Sequence, residues 1–237
     1  MMEKKKKDNS IKDIISLIIS FLMLSFVTAF GFLYIKDAAS EIGIMEKGYR
    51  NLCQVNVYAD VKNGRGFIIR VEDDYMDIVT SKHLVSENNK VSVEFGNKGR
   101  VDGEVVYYYR ELDAAVVRVQ REDFEYYIKG AKEINALSKG EYDSIPLNKK
   151  VIYASNIYDT ELEVSEGRWY SSDEYIPELG CSVGLFLGVV KPGMSGGAIF
   201  DEEERFAGMI IASNDSQGAV IPSYEIMEEY IEFSSKE

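Results

Sequence analysis

The chain has 237 residues, of which 46% are hydrophobic, 28% charged and 12% aromatic, and its formal net charge is −13. That composition suits one globular domain with a real core, or two small subdomains sharing one, and excludes a disordered chain. So acidic a balance is a poor fit for nucleic acid, which rewards clustered Lys and Arg; it reads as a solubilising surface, with steering of basic substrates as the alternative.

The first feature in chain order is residues 14–35, IISLIISFLMLSFVTAFGFLYI, 22 residues without a charge. As a helix they span about 33 Å, enough to cross a hydrocarbon core of about 30 Å. A buried core helix would carry a polar stripe, and none is present. Lys4, Lys5, Lys6, Lys7 and Lys12 precede the segment, whereas its other flank mixes Lys36, Asp37, Glu41, Glu46, Lys47 and Arg50. The positive-inside rule then predicts a basic cytoplasmic tail at 1–13, a transmembrane signal-anchor helix at 14–35, a linker at 36–50 and an extracytoplasmic domain at 51–237 in the cell membrane. A cleaved signal peptide, with Val27 and Ala29 near the cut, is the alternative; the apolar run exceeds the usual h-region.

Beyond the linker, short apolar runs alternate with turn residues: QVNVYAD (54–60), GFIIRV (66–71), YMDIVT (75–80), VSVEF (91–95), VDGEVVYYYR (101–110) and AAVVRVQ (114–120). KKVIYAS (149–155), ELEVSEGRWY (161–170), SVGLFLGVV (182–190), GAIFD (197–201), RFAGMIIAS (205–213) and GAVIPS (218–223) follow. Runs rich in Val, Ile, Tyr and Phe at this spacing predict an all-β sandwich or barrel. SYEIMEEYIEF (223–233) predicts a closing helix with Ser223 as N-cap and Glu225 and Glu228 favourably placed in its first turns. Residues 121–140 carry no clear pattern and leave room for a short connecting helix.

The chemistry concentrates in three blocks. The single His, His83, sits in IVTSKHLV just after a strand. Ser195 sits in KPGMSGGAIFD, where glycines let the backbone approach a substrate and aim N–H groups at one point. The same residues satisfy G-x-S-x-G, the nucleophile elbow of α/β-hydrolases, but in that fold the His follows the Ser, and none follows Ser195. The remaining order, His…Asp…Ser, suits a triad in which Asp113, at the head of the apolar strand LDAAVVRV, orients the imidazole. Asp73, Asp74 and Asp77 crowd the hairpin before the His and are the weaker choices. The two cysteines, Cys53 and Cys181, form no CxxC, and one His leaves no usual zinc site; they make one disulfide or two free thiols.

GRGFIIRV…DIVTSKHLV, LDAAVVRV and KPGMSGGAIFDEEERFAGMII, with the closing GAVIPS, together resemble trypsin-like, chymotrypsin-fold serine peptidases of the bacterial HtrA/Deg type, over roughly 51–237. The resemblance implies two six-stranded antiparallel β-barrels, about 51–130 and 141–225, with the site in the cleft between them. It implies a serine endopeptidase without cofactor or metal: His83, Asp113 and Ser195 catalytic, and the N–H groups of Gly193 and Ser195 as oxyanion hole. Val189 on one side and Ala212, Ser213 and Asn214 on the other would bind substrate, an unfolded or extended polypeptide. Val189 stands where trypsins hold an Asp, which implies an apolar or small side chain in the pocket unless Glu174 or Asp215 reaches it. Two departures stand out. Met194 replaces the Asp of digestive trypsins and the Asn common in the Deg group, and the chain ends soon after the second barrel, without a PDZ domain. A catalytically inactive binding module on the same fold is the alternative reading.

Overall fold

The structure, a computed structural model, describes residues 54–60, 62–86, 90–95, 100–120, 134–158, 161–214 and 216–236. The expected membrane segment 14–35, the linker 36–50 and Cys53 lie outside them. Among the described residues no helix is long and apolar enough to cross a membrane.

Alternating apolar and polar residues give a strand two faces, and here both faces of several strands are apolar. In β2 (Lys62–Val71), Ile68 points into one cluster, with Val55, Val57, Met76, Ile78, Val93 and Val117, while Phe67 and Ile69 point into another. A strand apolar on both sides must be covered on both sides, and two packed barrels do this. The first closes in the order β1 (Gln54–Ala59), β2, β3 (Tyr75–Thr80), β6 (Ala115–Gln120), β5 (Arg100–Tyr108), β4 (Lys90–Glu94). The second comprises β7 (Lys150–Tyr158), β8 (Glu161–Ile176), β9 (Cys181–Leu187), β10 (Ala198–Asp201), β11 (Phe206–Ser213) and β12 (Gln217–Pro222), closed as β10-β11-β12-β9-β8-β7. All pairs are antiparallel, and the second barrel repeats the strand order of the first.

Each barrel has its own core, and a third cluster fills the seam. Phe67, Val79, Tyr109 and Val116 of the first barrel meet Phe200, Phe206, Met209 and Ile221 of the second. Phe67 and Phe206 pack with ring centroids 4.6 Å apart. The seam also buries Asp77 completely, and both its oxygens are used: Arg118 donates to them at 2.8 and 2.9 Å, and the Tyr230 hydroxyl at 2.8 Å.

Three short helices complete the described chain: α1 (Lys82–Val85), α2 (Lys139–Asp143) and α3 (Ser223–Ser234). At α2 the structure shows a capping box that the sequence analysis did not find: the Ser138 hydroxyl accepts from Glu141 N–H while the Glu141 carboxylate accepts from Ser138 N–H. The closing helix differs from expectation at its start. Its cap position is Pro222, and Ser223 lies inside the first turn, donating its hydroxyl to the Leu137 carbonyl at 3.2 Å. Tertiary burial of Ser223 takes the hydroxyl that a cap would use. Glu225 does sit in the first turn, but burial, more than any neighbour, pushes its carboxyl above the usual range, so the helix dipole does not dominate there.

Candidate active site

β3 delivers the chain to the site. The strand ends at Thr80, and one turn of helix, α1, buries Leu84 and Val85 beneath it, which leaves His83 exposed at the rim. The loop between β5 and β6 comes to the same place. It is closed by Tyr109 N–H donating to the Ala114 carbonyl at 3.0 Å, and zipped to α1 by Lys82 N–H donating to the Asp113 carbonyl at 3.2 Å. The Lys82 ammonium adds a bond to the Tyr109 carbonyl at 2.8 Å.

Asp113 then holds His83 at two points. One carboxylate oxygen accepts from the His83 main-chain N–H at 2.8 Å; the other lies 2.5 Å from Nδ1 of the ring. An Nδ1–H given to a carboxylate fixes the tautomer and leaves Nε2 as the free base of a neutral imidazole. The carboxylate is thereby committed to one residue.

Ser195 arrives from the second barrel on the loop before β10. The loop is made by two left-handed glycines, Gly193 at φ +88° and Gly196 at φ +87°, a conformation costly to any residue with a Cβ. Met194 anchors it: the side chain is buried in the second barrel's core, and its sulfur accepts from Lys191 N–H at 3.0 Å. This apolar anchor occupies the position where the resembled families hold a polar one. Gly196 N–H donates to the Ile210 carbonyl at 2.8 Å, and Gly197 N–H to the Met194 carbonyl at 3.0 Å. Among the described residues, the N–H groups of Gly193 and Ser195 have no protein acceptor.

The two halves meet through β2. Arg65 N–H donates to the Ser195 carbonyl at 2.8 Å. A Cβ placed on Gly64 would stand 2.8 Å from that carbonyl and 2.9 Å from Leu84 Cδ2, so one glycine separates the serine loop from the neighbour of His83. The structure therefore brings His83 and Asp113 into direct contact and holds the Ser195 loop against β2 at Gly64 and Arg65, next to Leu84; no hydrogen bond joins the Ser195 hydroxyl to the imidazole. Such bonds are often long without substrate and tighten when it binds.

The expected substrate walls are also adjacent. Val189 is 61% exposed, with its carbonyl accepting from the Tyr153 hydroxyl at 3.2 Å. The Ser213 hydroxyl donates to the Val190 carbonyl at 3.5 Å, joining the two segments. Ala212 is half-buried, Ser213 and Asn214 are exposed, and the Asn214 side-chain oxygen accepts from the N–H groups of Ser216 and Gln217 at 3.0 and 2.8 Å. β10 pairs with β11 only as far as Met209, so among the described residues the end of β11 pairs with β12 on one side alone. Cys181 carries a free thiol, half-buried, and no cluster of three or more His, Cys, Asp or Glu that could hold a metal occurs among the described residues.

A family model described as the trypsin-like peptidase domain matches residues 64–209, more than half of the chain. The chain belongs to the trypsin-like peptidase domain family. Among the curated relatives of this peptidase-family chain, a "Serine protease HtrA-like" protein of Staphylococcus epidermidis is 25% identical over 199 residues, covering 74% of this chain and 33% of the relative. The protein of that description in Staphylococcus aureus is 22% identical over 160 residues, 63% of this chain and 20% of its own length. The chain thus spans a third or less of the curated relatives it matches. Two solved structures share its fold. An inactive form of Rv3671c from M. tuberculosis superposes with a TM-score of 0.60 at 17% identity, covering 78% of this chain and 88% of that one. The HtrA-type protease AlgW, a serine-to-alanine variant with a tripeptide, gives 0.60 at 17% identity, covering 75% and 58%. The likeness is to the HtrA/Deg type of trypsin-like peptidase, as the three sequence blocks implied.

Sequence reasoning missed several residues that shape this site. Glu229 of α3 accepts from the Tyr107 hydroxyl and from Arg110 N–H, both at 2.8 Å, and so steadies the loop that carries Asp113. Nothing in the helix pattern announces this, because the partners are about 120 positions apart. Arg65 did have a signal: a lone charge in the otherwise apolar run GRGFII.

Proposed function

We propose that the chain is a serine endopeptidase in which Ser195 attacks the peptide carbonyl, His83 takes and returns the proton, and Asp113 orients the imidazole. The observation that carries the reading is the two-point grip of Asp113 on His83, with the Ser195 loop held to β2 beside Leu84, the neighbour of His83. The unengaged N–H groups of Gly193 and Ser195 support an oxyanion hole, where each donor is worth about 3 kcal/mol in the transition state. Acyl transfer to Ser195 and then to water needs no further reactant.

Substrates on this reading are extended polypeptides. The open side of the chain at Ala212–Asn214, the end of β11 and the residue after it, favours pairing with a substrate strand, and exposed Val189 favours an apolar or small side chain in the pocket over a charged one, which would lose water without a counter-charge. The apolar run at 14–35 and its lysine flank support a single-pass anchor with the peptidase outside the cytoplasm. Protease added to intact cells then removes a C-terminal tag and spares an N-terminal one; the reverse rejects the anchor.

The deciding experiment is labelling of the purified chain with a fluorophosphonate. Wild type is labelled, and Ser195→Ala and His83→Ala each abolish labelling and reduce peptide turnover by about 10⁶, as in other triads. Undiminished labelling of Ser195→Ala rejects the nucleophile. A folded wild type that neither labels nor cleaves leaves the binding-module alternative.

A further inference from the structure

Arg65 is 5% exposed, and burial pushes its guanidinium down to about 10, so it remains a cation at neutral pH. Among the described residues no carboxylate faces it. Its side chain crosses the seam and donates to one neutral group, the Ala154 carbonyl on β7. A guanidinium has five donors, and a charge so largely desolvated with no carboxylate beside it is expensive to keep. An apolar chain of similar length serves stability as well or better. The contrast with Asp77 is informative: at the same seam, that charge is fully satisfied by Arg118 and Tyr230.

What distinguishes Arg65 is where its three polar groups go. Its N–H holds the Ser195 carbonyl at 2.8 Å. Its carbonyl accepts from the Thr80 hydroxyl at 2.6 Å, three residues before His83, and stands against Gly196. Its guanidinium holds β7, which pairs with β10, the strand that emerges from the serine loop, through Tyr153 with Ile199 and Ile152 with Phe200. The path Ser195–β10–β7–Ala154–Arg65–Ser195 is a closed ring. Every link but the Arg65 side chain is backbone.

We propose that Arg65 is a positioning residue for acylation, closing a ring that fixes the Ser195 loop against the His83 strand. The proposal rests on the serine-peptidase reading. Its charge is tolerated because only a long cation spans the seam to a lone carbonyl; opening the ring frees the nucleophile loop while both barrel cores persist.

The test compares Arg65→Met, Arg65→Gln and Arg65→Lys with wild type in fluorophosphonate labelling rate, peptide kcat and KM, and Tm. Met matches the volume without the cation, and Gln is too short to cross the seam. Both slow labelling and kcat about 10- to 100-fold, the effect of small misplacement of a reacting group, with KM and Tm held. Lys, which reaches the carbonyl as a cation, restores most of the rate. Gln decides the question if Met does not fold. Wild-type rates in the folded neutral variants overturn the proposal, as does a loss of rate matched by a loss of Tm with Lys no better than Met. A wild type without Ser195-dependent labelling overturns the peptidase reading itself, and this proposal with it.

Discussion

Gly196→Ala puts one methyl group where the site has no room for it. At φ +87° an alanine carries left-handed strain of about 1–2 kcal/mol. Its Cβ would stand 1.9 Å from the Arg65 carbonyl oxygen and 2.8 Å from Thr80 Oγ1, against a floor of 3.0 Å for real Cβ contacts. The first clash involves backbone on both sides, so loop or strand must shift by about 1.1 Å (3.0 − 1.9). A shift of that size strains or breaks the bonds from Arg65 N–H to Ser195 and from Gly196 N–H to Ile210, each worth about 1 kcal/mol. Strain and two lost bonds sum to about 3–4 kcal/mol of stability. The displacement of the serine alone costs about 10² in acylation rate. Urea unfolding and fluorophosphonate labelling read the two effects separately. Gly140→Ala is the control: Gly140 lies in α2 with nothing within 4 Å of the added Cβ, and alanine there is neutral or stabilises by up to about 1 kcal/mol. Gly196→Ala with wild-type midpoint and labelling rate refutes the reasoning, because the loop would then hold Ser195 without the close approach described.

Asp77→Ala removes the buried carboxylate that Arg118 and Tyr230 share and lowers stability by about 3–5 kcal/mol in urea unfolding, whereas Tyr230→Phe removes one hydrogen bond and costs about 1 kcal/mol; near-equal losses contradict the network. Glu225 gives a pH-dependent outcome. Burial first, then Glu228, raises its carboxyl against the hydrogen bond from Tyr224, so the folded chain keeps a proton that the unfolded chain has lost. Stability therefore falls as pH rises through that window and stays lowered at neutral pH. Glu225→Gln raises Tm at pH 7 and not at about pH 3.5, below the carboxylate range; an equal gain at both, or none at pH 7, contradicts the shift.

The sequence by itself determined a good deal. Period-two runs of Val, Ile, Tyr and Phe bounded by turn residues gave the all-β class, because alternation is a local property of a strand. The order of His83, Asp113 and Ser195 excluded the nucleophile elbow, and the glycines around Ser195 marked a tight loop, since left-handed φ is written locally in residue type. The tertiary structure decided what depends on pairs far apart in the chain. It closed the strands into the two barrels that the family resemblance implied and strand spacing alone left open, sent Ser223 to Leu137 instead of the helix cap, and turned the Arg in GRGFII into a bridge to Ala154, 89 positions away. It also set α3 against the Asp113 loop through Glu229. The physical reason is common to these cases. A hydroxyl, a carboxylate or a guanidinium has several possible partners, and which one it takes depends on what burial brings within about 3 Å, a distance that residue type and spacing do not encode.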